Sequence, residues 1–260
     1  MSLVPIVLDG LHAPGVGHGF FTRQGGVCDG PFASLHAGLS HADAMDGVRE
    51  NRRRIAAHFD QPMAHLVSCR QVHGVDVVSV NDPWHLEDVP DADGLVTDRA
   101  DIVLGVVTAD CAPVLFVDAE AGVIGACHAG WRGALAGVAE ATLDAMRAHG
   151  ASLANLSAGI GPCIAQSSYE VGPEFEQAFL DADPTYSRFF VRPAPDARAR
   201  FDLRGFLQDR LLRYGLSRIE VAAHDTYAQS ELFFSNRRTT HQGGGPYGLQ
   251  LSAITLHRNT

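Results

Sequence analysis

Between Gly105 and Gly133 the chain reads GVVTADCAPVLFVDAEAGVIGACHAGWRG, and this stretch restricts the possible folds more than any other. Val103 to Val107 is apolar and β-branched and runs into Thr108-Ala109-Asp110-Cys111, after which the apolar pattern resumes from Pro113 to Val117. A second run, Val123 to Cys127, ends at His128. Short apolar runs of this kind read as buried strands, and the acidic Asp118-Ala119-Glu120-Ala121-Gly122 between them reads as a turn. The expectation is two buried strands joined by that turn. Each brings a reactive side chain, Cys111 or His128, to an edge.

The residues after His128 extend the pattern. Ala129-Gly130-Trp131-Arg132-Gly133 leads into Ala134 to His149, where Leu135, Val138, Thr142 and Met146 fall near one helical face and Gly150 supplies a stop. HAGWRG is therefore expected to be a strand-to-helix turn. Such a turn presents free backbone N–H groups and the positive end of a helix, so with Arg132 it reads either as an anion seat beside His128 or as a plain glycine-rich turn.

A chain of 260 residues suffices for one large domain or two small ones, and 46% hydrophobic residues can fill a sizeable core. With no linker or charge run dividing it, residues 1–260 are expected to form one domain. No apolar run approaches the ~18 residues of a membrane span, and Met1 to Gly19 lacks the basic start and apolar block of a secretory signal. A soluble cytoplasmic protein is expected, with no membrane partner. The formal charge of −10 argues against nucleic acid as a partner. Five cysteines (Cys28, Cys69, Cys111, Cys127, Cys163) without CxxC spacing argue against a disulfide framework or a zinc ribbon.

In chain order, Gly17 to Thr22 is a short apolar segment that enters the tight turn Arg23-Gln24-Gly25-Gly26, where the backbone can pass close to a ligand. Asp43 to Phe59 reads as a helix with Val48, Ile55 and Phe59 inward and Arg52-Arg53-Arg54 mostly on the wet side. Leu66 to Arg70 and Val75 to Val80 read as strands flanking Gln71-Val72-His73-Gly74, and Asp91 to Thr97 as a turn into another strand. Leu156 to Ile160 reads as a strand, and Tyr169 to Gly172 precedes a helix ending near Leu180. Arg192 to Arg200 has the look of a mobile loop. Asp202 caps a helix through Tyr214 that Gly215 ends. Ile219 to Ala223, Glu231 to Phe234 and Ser252 to Leu256 read as strands, with a glycine-rich polar tail from Thr239 to Gly248.

Three reactive side chains thus sit at or near strand ends: His73, Cys111 and His128. Two imidazoles and a thiolate satisfy a catalytic zinc site and leave a tetrahedral position open to water, whose pKa the metal lowers to about 7. Asp110, next to Cys111, could move a proton or orient a histidine. The same residues equally support a metal-free chemistry in which Cys111 is the nucleophile and a histidine its base. A multicopper oxidase fits less well, because the 13 histidines include no HxH pair.

The motifs FTRQGG (Phe21–Gly26), QVHG (Gln71–Gly74), ADG (Ala92–Gly94), TADC (Thr108–Cys111), HAGWRG (His128–Gly133), GIGPCI (Gly159–Ile164), YEVG (Tyr169–Gly172) and FFSNRR (Phe233–Arg238) occur in the order seen in the YfiH/YlmD family. On these the chain resembles that group, also labelled laccase-domain or polyphenol oxidase proteins. The resemblance implies an α+β fold, a central β-sandwich of mixed sheets flanked by helices, related to bacterial toxin deamidases with a Cys-His pair. It implies a zinc site on His73, Cys111 and His128, with copper as the alternative metal. It also implies purine nucleosides and phosphate as ligands: phosphorolysis of adenosine, inosine, guanosine and methylthioadenosine, and deamination of adenosine. A copper-dependent polyphenol oxidoreductase, a Cys-His thiol hydrolase and a peptidoglycan-editing factor are the alternatives.

For such chemistry Asp110 is the expected proton carrier, and Arg23 and Arg132, beside their glycine turns, are the expected phosphate contacts. The chain departs from the family pattern at Cys28, His36 and Asn236, and it lacks the usual Gly-Arg pair after Arg238, which weakens Arg237 and Arg238 as ligand contacts. Cys127 and Cys163 read as small buried hydrophobes.

Overall fold

A computed structural model describes residues 3–39, 45–86 and 88–257. The strands are β1 (Val16–Phe20), β2 (Leu66–Val67), β3 (Val77–Ser79), β4 (Gly94–Thr97), β5 (Val103–Thr108), β6 (Ala112–Asp118), β7 (Val123–Ala129), β8 (Ser157–Ile160), β9 (Glu170–Val171), β10 (Phe190–Val191), β11 (Ala199–Phe201), β12 (Arg218–Val221) and β13 (Gln250–Leu256). The helices are α1 (Met45–His58), α2 (Trp131–Ala136), α3 (Val138–Ala148), α4 (Pro173–Ala182), α5 (Leu203–Tyr214) and α6 (Asn236–His241). No helix among the described residues is long and apolar enough to cross a membrane.

The fold is α+β with mixed sheets. One sheet runs β1-β13-β5-β2 and a larger one β12-β8-β6-β7-β4-β3, while β10-β11-β9 form a small third sheet. Strand alternation divides the apolar residues between the faces. Leu115 and Val117 of β6 and Ile124 and Ala126 of β7 meet Leu104 and Val106 of β5 and Ile254 of β13 in one core, which joins the two large sheets as a sandwich. The opposite residues of the same strands, Val114, Phe116, Val123 and Cys127, pack under α3 and α5. On the other outer face Ile55 and Ala56 of α1 cover Val103, Leu251 and Ala253. Helix, sheet, sheet and helix follow one another as layers.

The apolar stretch behaves differently from the two-strand expectation. The run from Val103 to Val117 breaks at Ala109–Cys111, so β5 joins the four-stranded sheet while β6 crosses to the six-stranded one. Asp110 makes the crossing with a left-handed φ of 87°, a conformation in which an aspartate is more at ease than most residues. The turn between β6 and β7 is as expected, and Asp118 accepts the amides of Glu120 and Ala121.

The helix expected over Ala134–His149 is two helices, because Gly137 adopts a φ of 102° and ends α2 before α3 begins. Asp43, the expected start of the first helix, lies outside the described residues. Arg52 is no surface residue: it is fully buried beneath α1, whereas Arg53 and Arg54 pair with Glu50. Glu231–Phe234 is not a strand but turn and irregular backbone, and Arg238 braces it by donating to the Phe233 carbonyl. The loop expected over 192–200 ends earlier, at 198, because Ala199 and Arg200 belong to β11 and pair with Val171 and Glu170. Asp202 caps α5 by accepting the Gly205 amide, and Gly215 closes it with a φ of 106°.

Candidate metal centre

His73, Cys111 and His128 come together where the chain passes between the two large sheets. His73 lies in the connection from β2 to β3, Cys111 in that from β5 to β6, and His128 near the end of β7. Their ligand atoms all lie within 4.8 Å of one another. The two imidazole rings are edge to face, 4.8 Å apart. His73 holds a left-handed φ of 61°, an uncommon state for a residue with a side chain, which aims its ring back at the strand ends.

Asp93, which the sequence reading did not single out, fixes this arrangement. It precedes β4, and the antiparallel pairing of Gly94 with Cys127 brings it beside His128. Its Oδ1 lies 2.7 Å from His128 Nδ1. Its Oδ2 accepts the amides of Val72 and Gly74, at 3.1 and 2.7 Å, on either side of His73. Burial alone would push the Asp93 carboxyl up, but the bonds from His128 and Gly74 hold it below its usual value. An ionised carboxylate accepts only, so Nδ1 of His128 carries a proton and Nε2 is the nitrogen left to the cluster, as a donor to Cys111 when protonated and as a ligand atom when not. The sequence signal was the ADG motif, an aspartate opening a strand that pairs with the histidine strand.

The electrostatics favour a thiolate. Burial pushes the Cys111 thiol up, yet the charge of His128 and hydrogen bonds from His128 and His73 bring it down to about 6. Burial likewise disfavours charge on His128, but the Cys111 thiolate and Asp93 raise it. Elsewhere burial dominates, and Cys69 and Cys163 are pushed up to about 12. Cys127 and Cys163 are fully buried, as read from the sequence. Two imidazoles, one of them backed by a carboxylate, and a stabilised thiolate are a donor set that zinc takes in catalytic sites, so the residues fit such an ion.

The cluster borders a cavity of about 380 Å³ whose walls include Cys69, Gln71, Thr108, Asn236, Tyr247 and Leu249. That volume lies in the roughly 300–1,000 Å³ range of small-molecule sites. Gln71 secures the wall by exchanging hydrogen bonds with the backbone of Val107, at 2.7 and 2.8 Å. Gly130 keeps space for the triad, because a Cβ there would lie 2.7 Å from His73 Cδ2 and 3.1 Å from Cys111 Sγ.

Asp110 does not orient a histidine. Its Oδ1 accepts from Thr226 Oγ1, and its Oδ2 from Ser235 Oγ and the Arg237 amide, at 2.7 to 2.9 Å. It therefore ties the backbone beside Cys111 to the start of α6. The two expected phosphate arginines also lie elsewhere. Arg132 is exposed and stacks over Trp131, and Arg23 donates to the carbonyls of Ala33 and Ser230 beneath Phe234. Neither lines the cavity of the triad; Arg52 and Arg70 do. Arg238 spends its donors on carbonyls of Thr226, Tyr227 and Phe233, and Arg237 donates to that of Glu170.

A family profile described as multi-copper polyphenol oxidoreductase laccase matches residues 17–257. The chain belongs to this family, the YfiH/YlmD proteins. A relative named purine nucleoside phosphorylase YlmD, from Geobacillus stearothermophilus, is 36% identical over 231 residues, which cover 85% of this chain and 84% of that one. A Streptomyces griseus relative named purine nucleoside phosphorylase ORF3 is 43% identical over 157 residues, 60% of this chain and 64% of its own length. The crystal structure of YlmD superposes with a TM-score of 0.87 at 30% identity, covering 99% of this chain and 97% of that one. YfiH/YlmD relatives thus share the whole layered fold.

Proposed function

We propose that this chain is a zinc-dependent purine nucleoside phosphorylase that also deaminates adenosine, with residues 1–260 acting as one catalytic domain. The observation that carries the reading is the meeting of His73, Cys111 and His128 at the wall of a cavity large enough for a nucleoside. The names of the relatives support the substrate class. Adenosine, inosine, guanosine and methylthioadenosine are the proposed nucleosides, and inorganic phosphate the second substrate.

Zinc held by His73, Cys111 and His128 would supply a Lewis acid and lower the pKa of water in the cavity. Asp93 keeps the His128 proton on Nδ1 and fixes the His73 loop through two amides. Asp110 positions rather than carries a proton: it links the Cys111 backbone to α6, which brings Asn236 to the cavity wall beside Tyr247. An amide and a phenol there offer a purine hydrogen bonds and a stacking face. In phosphorolysis a phosphate oxygen bonds to C1′ of the ribose as the bond to the purine nitrogen breaks, and the base leaves with a proton. In deamination water adds at C6 and ammonia departs.

The test is to incubate protein of known metal content with adenosine, with and without phosphate, and to identify the products. Adenine that appears only with phosphate supports phosphorolysis, and inosine supports deamination. The absence of both products would overturn the reading.

A second reading draws on the lowered Cys111 thiol beside His128: a metal-free thiol hydrolase. Activity that survives complete zinc removal would favour it. A copper phenol oxidase would instead carry more than one copper per chain.

A further inference from the structure

Tyr247 lines the triad cavity and also a second one of about 380 Å³, whose walls include Arg23, Phe234, Arg238 and Gln242. A third, of about 650 Å³, shares Arg23, Arg238 and Gln242 with the second, so the two make one outer groove. The proposed phosphorolysis uses neither.

Arg23 and Arg238 reach this groove from opposite ends of the chain and clasp one segment, residues 226–234. Arg23 donates from Nε to the Ala33 carbonyl at 2.8 Å and from Nη1 to that of Ser230 at 3.1 Å, and its Cζ lies 4.5 Å from the centre of the Phe234 ring. Its backbone amide donates to the Leu232 carbonyl at 2.8 Å. Arg238 donates from Nη1 to the carbonyls of Thr226 and Tyr227, both at 2.8 Å, and from Nη2 to that of Phe233. These bonds shape the segment but leave the charge unpaired. Among the described residues every hydrogen bond of the two guanidiniums goes to a carbonyl and none to a carboxylate. A guanidinium has five N–H groups, so three remain on Arg23 and two on Arg238. Burial, and then the charge of Arg238, lowers the pKa of Arg23; burial lowers Arg238 too, against the charges of Asp110, Asp225 and Glu231. Two part-buried cations thus stand close enough to repel, in a chain whose net charge is −10. An anion that accepts from both relieves that repulsion.

The spare donors favour one kind of anion. A carboxylate offers two oxygens in a plane, whereas a phosphoryl group offers three in a tetrahedral array and can meet two guanidinium forks and the exposed Gln242 amide together. We propose that Arg23 and Arg238, with the Gln242 amide, form an outer anion site that holds a phosphoryl group, separate from the triad cavity and from the phosphate that reacts there. The group is either free inorganic phosphate or phosphate esterified to a nucleoside. No chemistry takes place in the groove, so the site does not depend on the phosphorolysis reading.

The test is calorimetric binding of inorganic phosphate, and separately of adenosine 5′-monophosphate, to the zinc-loaded protein, Arg23→Gln and Gln242→Glu at physiological ionic strength, together with KM for phosphate. Gln242→Glu places a carboxylate among the cations at an exposed position and leaves both clasps intact. It is the decisive variant if circular dichroism shows that Arg23→Gln does not fold. Each variant should weaken binding about 10-fold or more and leave KM for phosphate within about 2-fold. Such weakening for the monophosphate alone upholds the site and assigns it to the ester; for inorganic phosphate alone, it assigns the free anion. Folded variants that bind both ligands like the parent, or a parent that binds neither, overturn the site while phosphorolysis stands. Weaker binding with an equal rise in KM for phosphate marks the site of the reacting phosphate and overturns a separate one. In a protein that releases no base, the binding measurements alone decide, and phosphorolysis falls by itself.

Discussion

Asp93 joins the two histidines of the metal centre: one carboxylate oxygen meets Nδ1 of His128 at 2.7 Å, and the other receives the amides flanking His73. An asparagine at 93 keeps the shape but presents an NH2 group either to His128 Nδ1 or to the two amides. The first choice forces the His128 proton onto Nε2, the atom the metal needs. Asp93→Asn should therefore lower zinc affinity by roughly 10–100-fold. Competition with a chromophoric chelator measures this, and an unaltered affinity in a folded variant would remove Asp93 from the role.

Gly130→Ala tests the same centre from the other side. Gly130 has φ −68° and ψ 163°, which any residue tolerates, so the substitution carries no backbone penalty. The added methyl instead presses on His73 and Cys111. We expect a Tm within a few degrees of the parent but zinc affinity reduced by at least about 10-fold, because ligand placement of a few tenths of an ångström matters at such sites. Equal zinc affinity would show that the triad has room to yield.

Cysteine reactivity should be confined to one residue in zinc-free protein. Cys111 alone among the five has a lowered thiol pKa, about 6, and it is partly exposed, whereas the others are buried. Alkylation at pH 7 should label Cys111 first, with a rate that rises through pH 6 and then levels, and zinc should protect it. Peptide mapping by mass spectrometry reads the site. Fast labelling of Cys69 or Cys28 would contradict a thiolate favoured at Cys111 alone.

The acid side of stability has a separate source. His18 Nε2 accepts the Leu8 amide at 3.0 Å in a buried site, and burial, aided by the charge of His12, lowers His18 from 6.5 to about 4. The folded state thus prefers neutral His18. Its contribution is complete above pH 6.5 and is lost as pH falls towards 4, to a maximum of about 3 kcal/mol. His18→Gln should flatten the decline of Tm between pH 6.5 and 4. A parallel decline in both proteins would assign it to other groups.

The strands and helices of the middle of the chain were legible because each has one continuous pattern and a recognisable stop, as with Asp202 and Gly215 around α5. The three cluster residues were legible as chemistry at strand ends, although their convergence depends on tertiary pairing that no local pattern contains. Two kinds of error have physical causes. The interruption at Ala109–Cys111 is hidden because apolar residues flank it on both sides, and its sign is a backbone φ at Asp110 rather than a composition change. Arg52 reads as solvated beside Arg53 and Arg54, since a run of charges does not reveal which member turns inward over Ala37 and Ser68. The histidine-orienting role expected of Asp110 falls to Asp93, which had no expected role, for a similar reason: proximity in sequence to Cys111 counts for less than the strand pairing that sets Asp93 against His128.

Strand β13 lies between β1 and β5, so residues 250–256 bridge the earliest strand to the middle of the chain. During synthesis the partners of β13 leave the ribosome long before it does. Until Leu256 has emerged, β1 has no neighbour in its sheet, and the edge of β5 that β13 covers stays open. Nascent chains are accordingly exposed to aggregation until residue 256 has emerged, and a stall shortly before residue 250 would release a product unable to close its sandwich.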